Sequence, residues 1–192
     1  MPNHSSGVVV VLDHVAEVLK ALSTLASNSV MVGIPDEKAG RKEGEISNAA
    51  LGFIFENGAP EINMPARPSL LPGVRAVQPD TIAGFKAAAG FALDGREAAV
   101  ERELHRIGLR AQNSVRGIIS AGIAPELAPS TIKGRIRRIK GKKRRAKIDA
   151  AAAAGTPWST QEGTAGIFTP LIITGQFLRS FVYSIRGPHG RN

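Results

Sequence analysis

A helical pattern from Asp80 to Ser120 constrains the fold of this chain more than any other part of the sequence. Its apolar positions recur mostly at steps of three and four residues, which is the spacing of one helix face. These positions are Ile82, Phe85, Ala89, Leu93, Val100, Leu104, Ile107, Ala111, Val115 and Ile118. Asp94-Gly95 is the best place for a break, because glycine is unfavourable inside a helix. The pattern predicts either one helix, which would reach about 60 Å if unbroken, or two stacked helices.

Shorter patterns on either side of this region predict the rest of the fold. β-Branched residues predict strands near 7–12, 29–34 and 181–187. Asp13 can cap a helix over 13–27, and this helix is amphipathic. Its apolar positions are Val15, Val18, Leu19, Leu22 and Leu25. Because short strands alone bury little apolar area, helices must cover one sheet face. We therefore predict an α+β fold, with a small, mostly antiparallel sheet packed by the N-terminal helix and the long helix or helix pair.

The region between these patterns is marked by caps and prolines. Ser47 can cap a short helix that ends at Asn57-Gly58. The four prolines that follow predict only extended or turn structure, because each fixes its own φ and restricts the preceding residue. They are Pro60, Pro65, Pro68 and Pro72. We expect four aromatic side chains to lie in the core: Phe53, Phe55, Phe177 and Phe181.

Positive charge is concentrated between Lys133 and Lys147, a stretch named here the basic segment. The chain has 25 Lys and Arg residues against 16 Asp and Glu. Removing the ten basic residues of this segment leaves 15 against 16, so the rest of the chain is close to neutral. The segment contains no acidic and no aromatic residue. Its basic residues are Lys133, Arg135, Arg137, Arg138, Lys140, Lys142, Lys143, Arg144, Arg145 and Lys147.

Regular patterns fade over about 123–166, which predicts a long, irregular and flexible basic loop within a single domain spanning 1–192. Three interpretations of the basic segment stay open. It can neutralise nucleic-acid phosphates, it can be a solvated loop, or it can tether the chain to an acidic protein surface. Without aromatic side chains it does not encode base stacking, so the nucleic-acid interpretation is contact with the duplex backbone.

A search for catalytic patterns predicts no enzyme. The chain has no cysteine, which excludes disulfides, thiolate nucleophiles and cysteine-ligated metals. Its four histidines are scattered without metal-ligand spacing: His4, His14, His105 and His189. Acidic neighbours such as Glu101 and Glu103 fit a solvated helix surface. We therefore expect no catalytic residue, no metal and no cofactor. No apolar run is long enough to span a bilayer, so we expect no membrane partner.

Three segments, taken in order, resemble the signature of the tailed-bacteriophage neck or tail-completion proteins, the head–tail joining family. Residues 49–58 (AALGFIFENG) and 62–70 (INMPARPSL) resemble its helix, E-x-G and I-P-x-R-P-F-L pattern. Residues 127–132 (LAPSTI) resemble its L-S/A-P-x-T segment. Residues 170–180 (PLIITGQFLRS) resemble its P-L-I-D-T-G-Q-L-x-x-S-I ending. Ser69 and Ile173 differ from the Phe and Asp that the family usually has there.

The resemblance implies a structural virion protein without enzymatic activity. Such a protein is a ring-forming adaptor of the neck that joins the capsid portal or connector to the tail and completes the tail. It implies a homo-oligomeric ring, expected to be a hexamer, that contacts the connector and the tail-terminator or tail-tube proteins. Genomic DNA, bound without sequence specificity, is a further expected partner. The expected location is the virion neck, and the host cytoplasm during assembly. The alternative is a non-enzymatic, cytoplasmic nucleic-acid-binding protein that uses the basic segment.

The resemblance also singles out individual residues as motif or interface positions. They are Glu56, Gly58, Pro65, Arg67, Pro68, Thr174 and Gly175. Gly58 and Gly175 suit backbone turns. Arg67, held between prolines, can make a fixed fork to a carboxylate such as Glu56, or can be an ordinary surface arginine.

Overall fold

The computed structural model describes residues 14–40, 46–138, 141–153, 169–172 and 175–187. The predicted strand at 7–12 and the motif residue Thr174 lie outside these residues. In chain order the first elements are α1 (Val15–Ser27), β1 (Ser29–Gly33), α2 (Asp36–Ala39), α3 (Asn48–Asn57), a 3₁₀ turn (Pro60–Ile62), α4 (Leu70–Ala76) and α5 (Gln78–Leu93). The later elements are α6 (Glu97–Ala121), α7 (Pro129–Arg137), α8 (Lys142–Ala153), α9 (Gln176–Ser180) and β2 (Val182–Arg186).

The predicted α+β class is confirmed. Strands β1 and β2 pair antiparallel, with Ser29 opposite Arg186 and Gly33 opposite Val182. The sheet packs against α6, where the side-chain oxygen of Gln112 accepts a hydrogen bond from the backbone N–H of Tyr183 at 3.0 Å. The first and last described strands of the chain are thereby joined over one long helix.

The predicted helical region from Asp80 to Ser120 forms two stacked helices rather than one. Helices α5 and α6 pack closely along each other, and the chain turns between them at Asp94-Gly95, as predicted. Gly95 has a φ of +70°, a conformation that suits glycine. The predicted cap of α3 is also confirmed, because the Ser47 hydroxyl accepts from the Ala50 N–H at 3.1 Å.

Two apolar clusters lie along α6. The cluster at its N-terminal half, the N-terminal cluster, contains Ala88, Val100, Leu104 and Ile107. The cluster at its C-terminal half, the C-terminal cluster, contains Val115, Ile119, Leu171, Phe177 and Phe181. Side chains from α1, β1 and β2 pack on the former, whereas α3, α4 and the 169–172 segment contribute to the latter. Helix α6 therefore connects the two parts of the core.

Several predictions about individual elements are wrong. The predicted irregular basic loop contains α7 and α8, because Lys, Arg and Ala all favour helix even where no apolar pattern marks one. Pro72 lies inside α4 rather than in extended chain, because the first turn of a helix does not need its N–H. Phe53, predicted to be core, is 71% exposed.

The apolar positions of α1 are mostly exposed as well. Val15 is 63% and Leu19 60% exposed, and Val18 and Leu22 are also exposed. Only Leu25 among the predicted positions packs on the N-terminal cluster. Helix α1 contacts α5 near the C-terminal end of α1. Most of the apolar stripe of α1 is therefore not covered by any other element among the described residues.

Candidate functional site

Glu56, near the end of α3, holds the start of α4 by its carboxylate. One carboxylate oxygen, Oε2, accepts from the backbone N–H of Ser69 at 2.8 Å and of Leu70 at 3.1 Å. The other, Oε1, accepts from the N–H of Leu71 at 3.0 Å. The first N–H groups of a helix have no partner within the helix, and a negative charge there is favourable. Glu56 thus acts as a cap supplied from another element.

Arg67 does not bind Glu56, so that expectation is wrong. Its guanidinium forks onto two backbone carbonyls instead, with Nε donating to Pro125 O at 2.8 Å and Nη2 donating to Glu126 O at 3.0 Å. The surface alternative is also wrong, because Arg67 is only 7% exposed. The Glu56 carboxylate is already occupied by three backbone donors. Burial lowers the pKa of Arg67 below its usual value.

Gly58 fits the turn role predicted for it, with a φ of +79°. A Cβ at this position would lie 2.9 Å from the backbone N of Ala66, closer than the packing allows. The turn lets the proline-containing segment return along α3, where the Arg67 N–H donates to Phe55 O at 2.6 Å. Gly175, with a φ of +71°, precedes α9 in the same way, while Pro65 and Pro68 are exposed.

The motif segments meet in the C-terminal cluster. Phe55 and Phe177 make an edge-to-face contact with ring centroids 5.2 Å apart, and Phe177 makes another with Phe181 at 5.1 Å. Arg67 connects the proline-containing segment to residues just before α7. Residues 49–58, 62–70, 170–172 and 175–180 therefore form one packed junction, which the start of α7 adjoins.

Arg135 attaches the basic segment to this junction. Its Nη1 donates to Thr169 O at 3.0 Å and to Ile172 O at 3.2 Å, and Ile136 beside it is buried. Burial lowers the pKa of Arg135, and the positive charges of Arg67 and Arg138 lower it further. Arg135 is thus a structural anchor rather than a group displayed for a partner.

The other described side chains of the basic segment form an exposed cationic surface on α7, α8 and the turn between them. Its members are Lys133, Arg137, Arg138, Lys142, Lys143 and Arg145. Arg145 also donates to the carbonyl oxygen of Arg137 and so joins α8 to α7. Among the described residues, no carboxylate forms an ion pair with Lys133, Arg137, Arg138, Lys142 or Lys143. Lys140 and the side chains of Arg144 and Lys147 lie outside the described set.

An open groove of about 990 Å³ lies beside the N-terminal cluster and was not predicted. It runs between α1, the α5–α6 turn, α6 and the end of β2. Apolar residues in its lining include Leu25, Leu93, Val100, Leu104 and Ile185. Four exposed carboxylates line it, from Glu17, Asp94, Glu97 and Glu101, together with Lys20 and His105. We name this feature the acidic groove.

Sequence reasoning missed the acidic groove because its carboxylates come from separate parts of the chain. Glu101 and Glu103 were interpreted together as a solvated surface, but the structure separates them. Glu103 is buried and pairs with Arg106 at 2.5 Å, whereas Glu101 lines the groove. The i,i+4 spacing of Glu97 and Glu101 was the one local signal that both face the same side.

The described residues contain no metal-type cluster of three or more His, Cys, Asp or Glu side chains. No helix in the described ranges is both long and apolar enough to cross a membrane. Comparison with protein-family models, curated proteins and solved structures finds no match.

Proposed function

We propose that this protein is a structural component of a tailed-phage particle, a ring-forming adaptor of the neck that joins the capsid connector to the tail. The resemblance of residues 49–70, 127–132 and 170–180 to the head–tail joining family suggests this role. Its support in the structure is that three of the motif residues have specific roles at one junction. Glu56 caps α4, Gly58 allows the return of the chain, and Arg67 ties it to Pro125 and Glu126.

The observation that carries ring formation is the exposed apolar stripe of α1. Val15, Leu19 and Leu22 are each about half exposed or more, although they share one face with Val18. Burial of apolar surface is favourable by about 25 cal/mol of free energy per Å² removed from water. Contiguous exposed apolar patches therefore mark interaction sites. In a closed ring each subunit presents two different surfaces, one to each neighbour. The α1 stripe is suited to be one of these surfaces.

Electron microscopy of the purified chain tests the ring directly. We expect class averages with a central channel and cyclic symmetry, six-fold if the ring is a hexamer. Antibody labelling of purified particles that contain the protein should place it at the junction of head and tail. Particles that lack the protein while it remains in the unassembled fraction would contradict the adaptor role.

Duplex binding by the basic segment is the second candidate, favoured by the six exposed cations of α7, α8 and their turn. If the segment binds phosphates, the logarithm of the binding constant should fall linearly with the logarithm of the salt concentration. The slope should be about −0.9 for each phosphate contact. Replacing Arg138, Lys142 and Lys143 by Gln should make that slope shallower. A slope that these changes leave intact would exclude the basic segment as the DNA contact.

A further inference from the structure

We propose that the acidic groove of one copy receives the basic helices α7 and α8 of the next copy, and that this contact closes the ring. The inference rests on the proposed ring and names the surfaces that form it. The occupant of the groove is thus a second copy of this chain.

The acidic groove and the basic helices carry opposite net charges. The groove is lined by four carboxylates against Lys20, a formal charge of −3 with His105 neutral. Among the described residues, Glu17 and Glu101 pair only with histidines, and Asp94 and Glu97 form no ion pair. The basic helices and the turn between them display six exposed cations against one exposed carboxylate, Asp149 near the end of α8. Opposite potentials across an interface fix register and speed up association.

The acidic groove and the basic helices lie towards opposite ends of α6. The groove uses Glu97, Glu101 and His105, in the N-terminal half of α6. The basic helices are attached beyond its other end, because Arg135 binds Thr169 and Ile172, and Ile172 packs on the C-terminal cluster. Glu101 and Ile119 are separated by 18 residues, or about 27 Å of helix. Complementary surfaces at opposite ends of one body join copies head to tail, which is the contact a ring requires.

The acidic groove is large enough to hold part of a helix. A helix 10–12 Å across with a pitch of 5.4 Å fills about 400–600 Å³ per turn. A groove of about 990 Å³ therefore has room for roughly two turns. Helix α8 begins with Lys142 and Lys143 and continues through exposed Ala146, so it presents charges beside a small residue that allows close approach.

Duplex DNA is the competing partner of the basic helices, but the charges of the groove favour the second copy. DNA would neutralise the cations of α7 and α8 but would leave the carboxylates of the groove without a partner. A neighbouring copy satisfies both surfaces at once. Helix α1 contributes Glu17, Lys20 and Leu25 to the groove, whereas its exposed apolar residues Val15, Leu19 and Leu22 are not in the lining of the groove.

A charge-swap experiment tests the contact. One variant reverses the groove with Glu17→Lys, Glu97→Lys and Glu101→Lys, and the other reverses the basic helices with Arg138→Glu, Lys142→Glu and Lys143→Glu. Each variant alone meets like charge at every contact, so we expect association to weaken by about 100-fold or more in light scattering and sedimentation. An equal mixture restores attraction at every contact and should assemble with alternating copies.

Matched controls carry the same change in charge outside both surfaces. They are Asp36→Lys, Glu37→Lys and Glu61→Lys for the groove, and Lys38→Glu, Arg75→Glu and Lys86→Glu for the basic helices. All six positions are exposed. Both controls should assemble like the unaltered chain, and circular dichroism should show every variant folded. Carbodiimide should cross-link Glu97 or Glu101 to Lys142 or Lys143 between isotope-labelled and unlabelled chains.

The outcomes separate the two levels of the proposal. If the unaltered chain forms rings and both charge-reversed variants form them equally well, the groove contact is wrong while the ring itself is supported. An unaltered chain that stays monomeric at every concentration would contradict the ring as well. If reversal of the basic helices abolishes duplex binding while assembly persists, α7 and α8 are a DNA surface and the inference is wrong.

Discussion

Glu56 and Arg67 carry opposite charges within one motif, yet each binds backbone groups instead of the other. Glu56 accepts three N–H groups at the start of α4, and Arg67 donates to two carbonyls before α7. Free backbone donors at a helix start and free carbonyls in an irregular segment both need partners when they are buried. The two charged side chains therefore complete the backbone hydrogen bonding of the junction.

Replacing Glu56 by Gln should lower the free energy of unfolding by about 1–2 kcal/mol. The amide loses the negative charge, and its NH₂ group turns a donor towards backbone donors. Urea unfolding followed by circular dichroism measures the effect. Glu61→Gln, at an exposed position, is the control and should change stability by no more than about 0.5 kcal/mol. Equal stability of the two variants would mean that the carboxylate contributes nothing to the cap.

The sequence predicted which motif residues matter better than it predicted the groups to which they bind. Gly58 could be predicted as a turn, because Asn-Gly after an apolar helix is a local signal. The partners of Arg67, Pro125 and Glu126, are nearly sixty positions away, and no local pattern specifies them. Carbonyl partners are especially hard to predict because every residue supplies one.

Elements were predictable where a cap or an apolar period marks them. The break between α5 and α6 and the ends of α3 are such cases. Helices α7 and α8 were not predicted, because charged residues and alanines occupy most of their positions and leave no periodic apolar pattern. Their composition nevertheless favours helix. For α1 the period predicted a helix correctly, but a period does not say which molecule covers the apolar face.

Helix α4 packs closely on α6 at Gly73. A Cβ on Gly73 would lie 2.7 Å from the Cα of Val115, whereas a Cβ on Gly117 of α6 would meet nothing within 4 Å. Gly73→Ala should therefore destabilise the protein by about 1–3 kcal/mol through overpacking. Gly117→Ala should stabilise it by up to about 1 kcal/mol, because alanine loses less entropy in a helix.

Thermal unfolding of the two variants side by side measures these opposite signs. The hydroxyl of Ser114 donates to Gly73 O at 2.7 Å, and we expect that bond to weaken as Gly73→Ala moves the helices apart. Hydrogen exchange should then rise in α4 for this variant alone. If both variants shift the melting temperature in the same direction, α4 does not pack on α6 at Gly73.

Helix α6 has two different neighbourhoods. Its N-terminal half packs with α1, α5 and the sheet and borders the acidic groove, whereas its C-terminal half supports the motif junction. Arg116 links this second half to the start of β2, with Nε donating to Phe181 O at 3.1 Å. Because one continuous helix passes through both clusters, strain at one end is transmitted to the other.

We therefore expect the two clusters to unfold together. Leu104, 2% exposed, lies in the N-terminal cluster, and Ile119, fully buried, lies in the C-terminal cluster. Leu104→Ala and Ile119→Ala should each cost about 2–5 kcal/mol. The positions are about 22 Å apart on α6, so their effects should add within about 0.5 kcal/mol. Both should shift the same single transition.

Urea unfolding by circular dichroism, with hydrogen exchange of peptides from each half of α6, tests this expectation. Leu109→Ala is the matched control, because Leu109 lies on the same helix but is 47% exposed, and it should change stability by no more than about 0.5 kcal/mol. Two transitions, each sensitive to only one core substitution, would show that α6 does not couple its ends. With one transition, the acidic groove and the basic helices are held at opposite ends of a single cooperative body, as a head-to-tail contact between copies needs.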